Sequence, residues 1–254
     1  MKNKYILITN LFLILFSYPV HAYNYPFINV KTYNLFDKSR SRNVPVEIYL
    51  SNESRDKAVA GITSLPLVII NHGNNLKNTE YSFIAKHLAA QGFLVASIQH
   101  DLPGDPELPW TGNLYEARKP LWERGVQNIL FCLKEIKNID NSVDTNKAYI
   151  IGHSNGGDIS VLFATKYSEM VKKVVLLDSK RMFFPRTGKP PILSLRANDT
   201  ETDPGVIPDE REHKKLNITV IKMEDAKHIE MSDRGPDNVK KQINEVVSSF
   251  LKKY

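Results

Sequence analysis

Residues 152–158 read Gly-His-Ser-Asn-Gly-Gly-Asp, and within them stands Gly152-x-Ser154-x-Gly156. A serine between two such glycines is a nucleophile pattern when a strand leads into it and a helix leads out. Both flanks are legible. Residues 148–151 are an apolar run of strand length, and Ile159, Val161, Leu162, Phe163 and Ala164 read as a helix with one apolar face. A tight turn between the two would hold Ser154 in a strained conformation with its hydroxyl clear of a sheet. Side chains two places to either side would collide, so both places are glycine. The following helix would aim its N-terminus at the serine and favour negative charge building up there. The chemistry implied is attack by the Ser154 hydroxyl on a carbonyl carbon.

Such a serine needs a base, an acid behind the base and two N–H groups for the oxyanion. His228 follows the last β-rich run, residues 218–223, and is the only histidine after it. As the base it would take the Ser154 proton and return it to the leaving group. Three aspartates could orient its ring. Asp199, just past the run 192–196, is favoured; Asp178, at the end of 174–177, is the second candidate; Asp203 lies further out in the loop. The expected oxyanion donors are the N–H of Asn155, just after the nucleophile, and the N–H of Asn74 in His72-Gly73-Asn74. This chemistry calls for no metal and no cofactor.

These residues must be gathered by a frame. Residues 30–36 and 44–50 are β-rich and joined by a polar turn, 37–43, which predicts an N-terminal antiparallel pair. Residues 51–64 are polar and read as a loop. Residues 65–70 are a near-continuous apolar run, as in a central strand buried on both faces. A helix follows, capped by Asn78 or Thr79, burying Tyr81, Ile84, Ala85 and Leu88, and ended by Gly92. Residues 93–98 are the next strand, and 99–112 a loop rich in proline and glycine. Trp122, Val126, Ile129, Leu130, Leu133 and Ile136 then mark a long helix. Past the serine turn come strands at 173–177, 191–196 and 218–223. Pro236 opens a last helix with Val239, Ile243, Val246 and Phe250 on one face. Strands alternating with helices predict an α/β fold: a mostly parallel central sheet with an antiparallel N-terminal strand pair, helices on both faces and no large cap domain. The loops at the carboxyl ends of the strands would then gather Asn74, Ser154, an aspartate and His228 along one edge. Leu108, Trp110, Met182, Phe183 and Phe184 are candidates to line an open pocket there.

The 254 residues, 42% hydrophobic and 24% charged, suit one globular domain with a full core. Residues 1–22 are set apart. Lys2 and Lys4 precede an apolar stretch too short for a membrane span, and Val20, His21 and Ala22 form a small-x-small cleavage pattern. The expectation is a signal peptide over 1–22, a single domain over 23–254, a secreted or periplasmic location and no stable membrane insertion after cleavage. No cysteine stands at the cleavage point, which argues against a lipoprotein. The single cysteine, Cys132, lies in an apolar helical pattern and reads as a buried small hydrophobe. The net charge of +6 is scattered and not interleaved with aromatics, which argues against nucleic-acid binding.

With these residues in view, the chain resembles secreted α/β-hydrolases related to platelet-activating-factor acetylhydrolase and the dienelactone-hydrolase-like esterases. The resemblance is carried by Arg40, Arg42 and Val44-Pro45-Val46, by His72-Gly73-Asn74, by Gln99-His100-Asp101-Leu102-Pro103-Gly104-Asp105, by residues 152–158 and by Ala226-Lys227-His228. The chain order serine, acid, histidine is also that of the α/β-hydrolase fold. The resemblance implies a serine carboxylester hydrolase with Ser154 and His228 in the triad, acting on a small-molecule ester. On the acid it points two ways: Asp178, as in acetylhydrolases and chlorophyllases, or Asp199 in Asn198-Asp199-Thr200, as in cutinase-like esterases. Dienelactone hydrolases proper carry cysteine at this strand–turn–helix elbow; Ser154 stands there in this chain, so their reaction is not implied. The alternatives are a peptidase or amidase of the same fold, and a hydrolase-fold binding protein without turnover.

Overall fold

The structure, a computed structural model, describes residues 27–252. The expected signal peptide and its cleavage point lie outside the described residues. Two strands open the fold, β1 (Ile28–Asp37) and β2 (Arg42–Ser51), paired antiparallel as expected. Residues 51–64, expected as a loop, instead contain α1 (Asn52–Val59). Ser51 caps it by accepting from the Ser54 N–H at 3.1 Å, and Glu53 and Lys57 pair one turn apart at 2.7 Å. Only Ala58 of this helix is buried, so it carries no apolar stripe by which periodicity could reveal it.

Next come β3 (Leu65–Asn71), a 3₁₀ turn (Asn78–Tyr81) and α2 (Ser82–Ala89). Neither Asn78 nor Thr79 caps α2. The Asn78 amide donates to the Ser97 carbonyl, and the Ser82 and Phe83 N–H groups are taken by the distant Asp233 carboxylate at 2.9 and 3.0 Å. A cap supplied across more than a hundred residues leaves no local sequence signature. The chain continues through β4 (Leu94–Ile98), α3 (Leu114–Ile139), β5 (Val143–His153), α4 (Asn155–Lys166), β6 (Val171–Leu177) and β7 (Ile192–Arg196). It ends with a short helix, α5 (Glu210–His213), then β8 (Ile218–Lys222) and α6 (Asp237–Lys252). On α6 the fully buried positions are Val239, Ile243, Val247 and Leu251, a face turned slightly from the expected one, with Val246 and Phe250 at its margin.

The eight strands lie in the order β1-β2-β4-β3-β5-β6-β7-β8, parallel from β4 onward and antiparallel at β1–β2 and β2–β4. Side chains alternate faces along each strand. Leu67, Ile69 and Ile150 pack with Trp122 and Val126 of α3 and Ile159 and Phe163 of α4. Val68, Ile70 and Ile151 pack with Ile84 and Leu88 of α2 and Ile243 of α6. With both faces covered, polar chemistry is confined to the strand ends. Among the described residues no helix is long and apolar enough to cross a membrane.

Candidate active site

The turn from β5 into α4 puts Ser154 at φ 53° and ψ −120°, a region that side chains avoid. The turn is tight enough to exclude any Cβ at its two glycines. One on Gly152 would lie 2.3 Å from the Gly156 carbonyl oxygen, and one on Gly156 would lie 2.2 Å from that of Asn71. The Ser154 N–H is tied to the Leu177 carbonyl of β6 at 2.9 Å, and its own carbonyl accepts from Gly157 and Asp158. Ser154 as a residue is half-buried.

His228 begins a 3₁₀ turn after β8, and its Nε2 lies 2.9 Å from Ser154 Oγ. Its Nδ1 lies 2.5 Å from Oδ2 of Asp178. The structure thus brings Asp178 to the imidazole, and not the favoured Asp199. Asp199 instead accepts the His228 backbone N–H at 2.7 Å. Asp203 pairs loosely with Arg181 at 3.8 Å, away from the ring. The reason lies in the two strand exits. Asp178 turns back at φ 55° directly beyond β6, beside the elbow, and is wholly buried. The end of β7 and the loop beyond it supply its partners: the Arg196 guanidinium as an ion pair at 2.7 Å, the Ala197 N–H at 3.1 Å and the Thr200 hydroxyl. Burial alone would raise the Asp178 pKa, but the His228 ring, Arg196, Thr200 and Ala197 together hold it well below the usual carboxylate range.

The Asn74 loop is also pinned. His72 donates from Nδ1 to the Gly73 carbonyl at 2.8 Å and accepts the His100 N–H on Nε2 at 2.8 Å, so it is neutral with its proton on Nδ1. Burial lowers its pKa, in keeping with that state. Gly73 sits against the nucleophile: a Cβ there would be 3.3 Å from that of Ser154. Among the described residues neither the Asn74 nor the Asn155 N–H donates to a protein acceptor. The Asn155 side chain is turned away to accept the Trp122 indole N–H at 2.8 Å.

A cleft of about 380 Å³ runs past Asn74 and Asn155, walled by Gln99, Asp101, Asp105, Glu107, Leu108 and Trp110 among others. Arg42 holds that wall by two bonds to Asp105, at 2.8 and 2.6 Å. Of the expected lining residues, Leu108 and Trp110 are in it. Met182 and Phe184 are not; both are buried in the core beside α3 and α4. Phe183 is exposed and edges onto Tyr115. What sequence reasoning missed are the supports. Asp158 Oδ1 gathers the Arg181 and Met182 N–H groups at 2.9 and 3.0 Å, shaping the loop beyond Asp178. In the sequence Trp122 and Tyr81 read only as core positions, and His153 carries no reading of its own. His153 stood inside the motif itself, which was the available signal.

Comparison with known proteins accords with this architecture. The Hydrolase_4 family model, described as serine aminopeptidase, S33, matches residues 64–180, less than half of the chain. A platelet-activating factor acetylhydrolase from Cavia porcellus is 30% identical over a stretch spanning 36% of this chain and 30% of the relative's length. Among solved structures, an esterase from Rhizomucor miehei superposes with a TM-score of 0.65 at 12% identity, covering 93% of this chain and 86% of that one. A ferulic acid esterase from Streptomyces cinnamoneus gives 0.60 at 17%, covering 88% and 83%. A dienelactone hydrolase from Anabaena variabilis gives 0.56 at 13%, covering 87% and 96%. The chain is an α/β-hydrolase-fold protein that resembles the acetylhydrolase and dienelactone-hydrolase-like esterase group.

Proposed function

We propose that the chain is an exported serine hydrolase that cleaves carboxylic esters through an acyl-enzyme on Ser154. The observation that carries this reading is the unbroken line Ser154 Oγ, His228 Nε2, His228 Nδ1, Asp178 Oδ2, with steps of 2.9 and 2.5 Å. With an ester in the cleft, His228 takes the Ser154 proton as Oγ bonds to the carbonyl carbon. The carbonyl oxygen becomes an oxyanion facing the Asn74 and Asn155 N–H groups. The bond to the alcohol breaks as His228 hands it the proton. Water, deprotonated by His228, then attacks the acyl-enzyme and releases the acid and Ser154. Asp178 remains ionised and stabilises the imidazolium. The site residues are thus Ser154, His228 and Asp178, with Asn74 and Asn155 as oxyanion donors. Export rests on the signal-like residues 1–22.

Hydrolysis of p-nitrophenyl acetate, with labelling by a fluorophosphonate probe, tests the reading. Both should be present in the wild type and lost in Ser154→Ala; an unchanged rate in the variant removes Ser154 from the mechanism. The match to a family model described as an aminopeptidase favours a second reading, cleavage of a peptide from its N-terminus. Faster turnover of aminoacyl p-nitroanilides than of p-nitrophenyl esters would select it.

A further inference from the structure

The triad accounts for the His228 ring but not for its backbone, which is held from both sides. Its N–H donates to Asp199 at 2.7 Å, and its carbonyl lies 2.9 Å from Nε2 of His153. The other nitrogen of His153, Nδ1, lies 2.8 Å from the Tyr81 hydroxyl, which in turn accepts the Gly73 N–H at 2.8 Å. A carbonyl can only accept, so the His153 proton is on Nε2. Nδ1 is then an acceptor for the Tyr81 O–H, which leaves the Tyr81 oxygen free to accept from Gly73. Each proton has one place to go. The chain runs from Gly73 N–H to Tyr81, from Tyr81 O–H to His153, and from His153 N–H to the His228 carbonyl. It starts beside Asn74, passes through the residue before Ser154 and ends on His228, so one line of hydrogen bonds joins the exits of β3, β5 and β8. Tyr81 and His153 are each 1% exposed, so water does not compete for these bonds.

We propose that Tyr81 and His153 are positioning residues that hold the His228 backbone and the Gly73–Asn74 loop in register with Ser154. The inference rests on the reading above that Ser154 is the nucleophile. Two further observations agree with it. The His153 and His228 rings lie 4.8 Å apart between centroids, so a charged His153 would oppose the imidazolium that His228 becomes. Burial, reinforced by the neighbouring His228, pushes the His153 pKa down to about 3, so His153 stays neutral and Nδ1 remains able to accept. A neutral histidine is also what the hydrogen bonds require: leucine would fill the space but leave the His228 carbonyl and the Tyr81 hydroxyl without these partners, whereas the glutamine amide keeps an N–H to donate and a carbonyl to accept.

The test uses the full chain and compares wild type with Tyr81→Phe, His153→Leu and His153→Gln. It reads the rate of Ser154 labelling by a fluorophosphonate probe, kcat and KM on p-nitrophenyl acetate, and Tm. A displacement of about 1 Å in a catalytic group can cost about a hundredfold in rate. On that scale, His153→Leu is expected to lower kcat and labelling about a hundredfold and Tyr81→Phe about tenfold, with KM within about twofold and most of the loss recovered in His153→Gln. A merely structural role would lower Tm without that selective loss of kcat and its rescue. The proposal falls if Tyr81→Phe and His153→Leu both stay within about twofold of wild type, or if glutamine does no better than leucine. Tyr81→Phe removes a single oxygen and decides the matter if His153→Leu does not fold. Labelling that survives Ser154→Ala sinks the esterase reading and the positioning role with it. Ser154-dependent labelling that is unaltered in Tyr81→Phe and His153→Leu sinks the positioning role alone.

Discussion

A carboxylate can serve a histidine only if its charge survives being taken out of water. Asp178 is wholly buried, yet it receives Arg196, an N–H, a hydroxyl and the imidazole itself, enough to keep it ionised. Asp199 is exposed at the surface and accepts the His228 backbone N–H rather than the ring. The two aspartates therefore predict different losses. Asp178→Asn should lower kcat on a p-nitrophenyl ester by about 10⁴, because an amide can donate to Nδ1 and favour the wrong tautomer. Asp199→Ala should cost about tenfold or less, since it removes a backbone contact and no charge from the imidazole. Steady-state kinetics on the two variants check this, and the reverse order of losses would make Asp199 the acid. Both candidates were visible as acids at strand exits. The choice was not, because it depends on Arg196, Ala197 and Thr200 turning toward Asp178 from the next strand.

At the scale of the element, the elbow binds a strand, a turn and a helix into one strained unit. Gly152 and Gly156 relieve collisions, but Ser154 itself remains at positive φ with a side chain. Replacing it by glycine should release that strain, and replacing it by alanine should not. Ser154→Gly is thus expected to be more stable than Ser154→Ala by about 1 kcal/mol, with both inactive. Thermal denaturation of the pair measures the difference, and equal stabilities would mean that the turn is not strained. The elbow was legible because its constraints act within seven residues. α1 was not, since its polar cap and ion pair bury almost nothing. Nor was the cap of α2, since Asp233 reaches it from a loop more than a hundred residues on.

Across the whole molecule, two apolar layers seal the sheet and leave its strand ends to chemistry. Cys132 reports on the seal. It is fully buried in α3, and burial pushes its thiol pKa far above the ordinary range. In the folded protein Cys132 should not react with a disulfide reagent, and its modification should follow the global unfolding transition in urea. Rapid modification under native conditions would show that α3 opens locally. What the sequence by itself determined is the layering and the candidates proposed as nucleophile and base, Ser154 and His228. Apolar runs at strand spacing and stripes at helix spacing demand a covered parallel sheet, and the strained turn leaves its own glycines behind. Only the tertiary structure decided which aspartate meets His228, which residues wall the cleft and which side chains link the three loops. Those choices arise from contacts between strand exits that are distant in the chain, and hydrogen bonds across such distances leave no periodic trace in the order of residues.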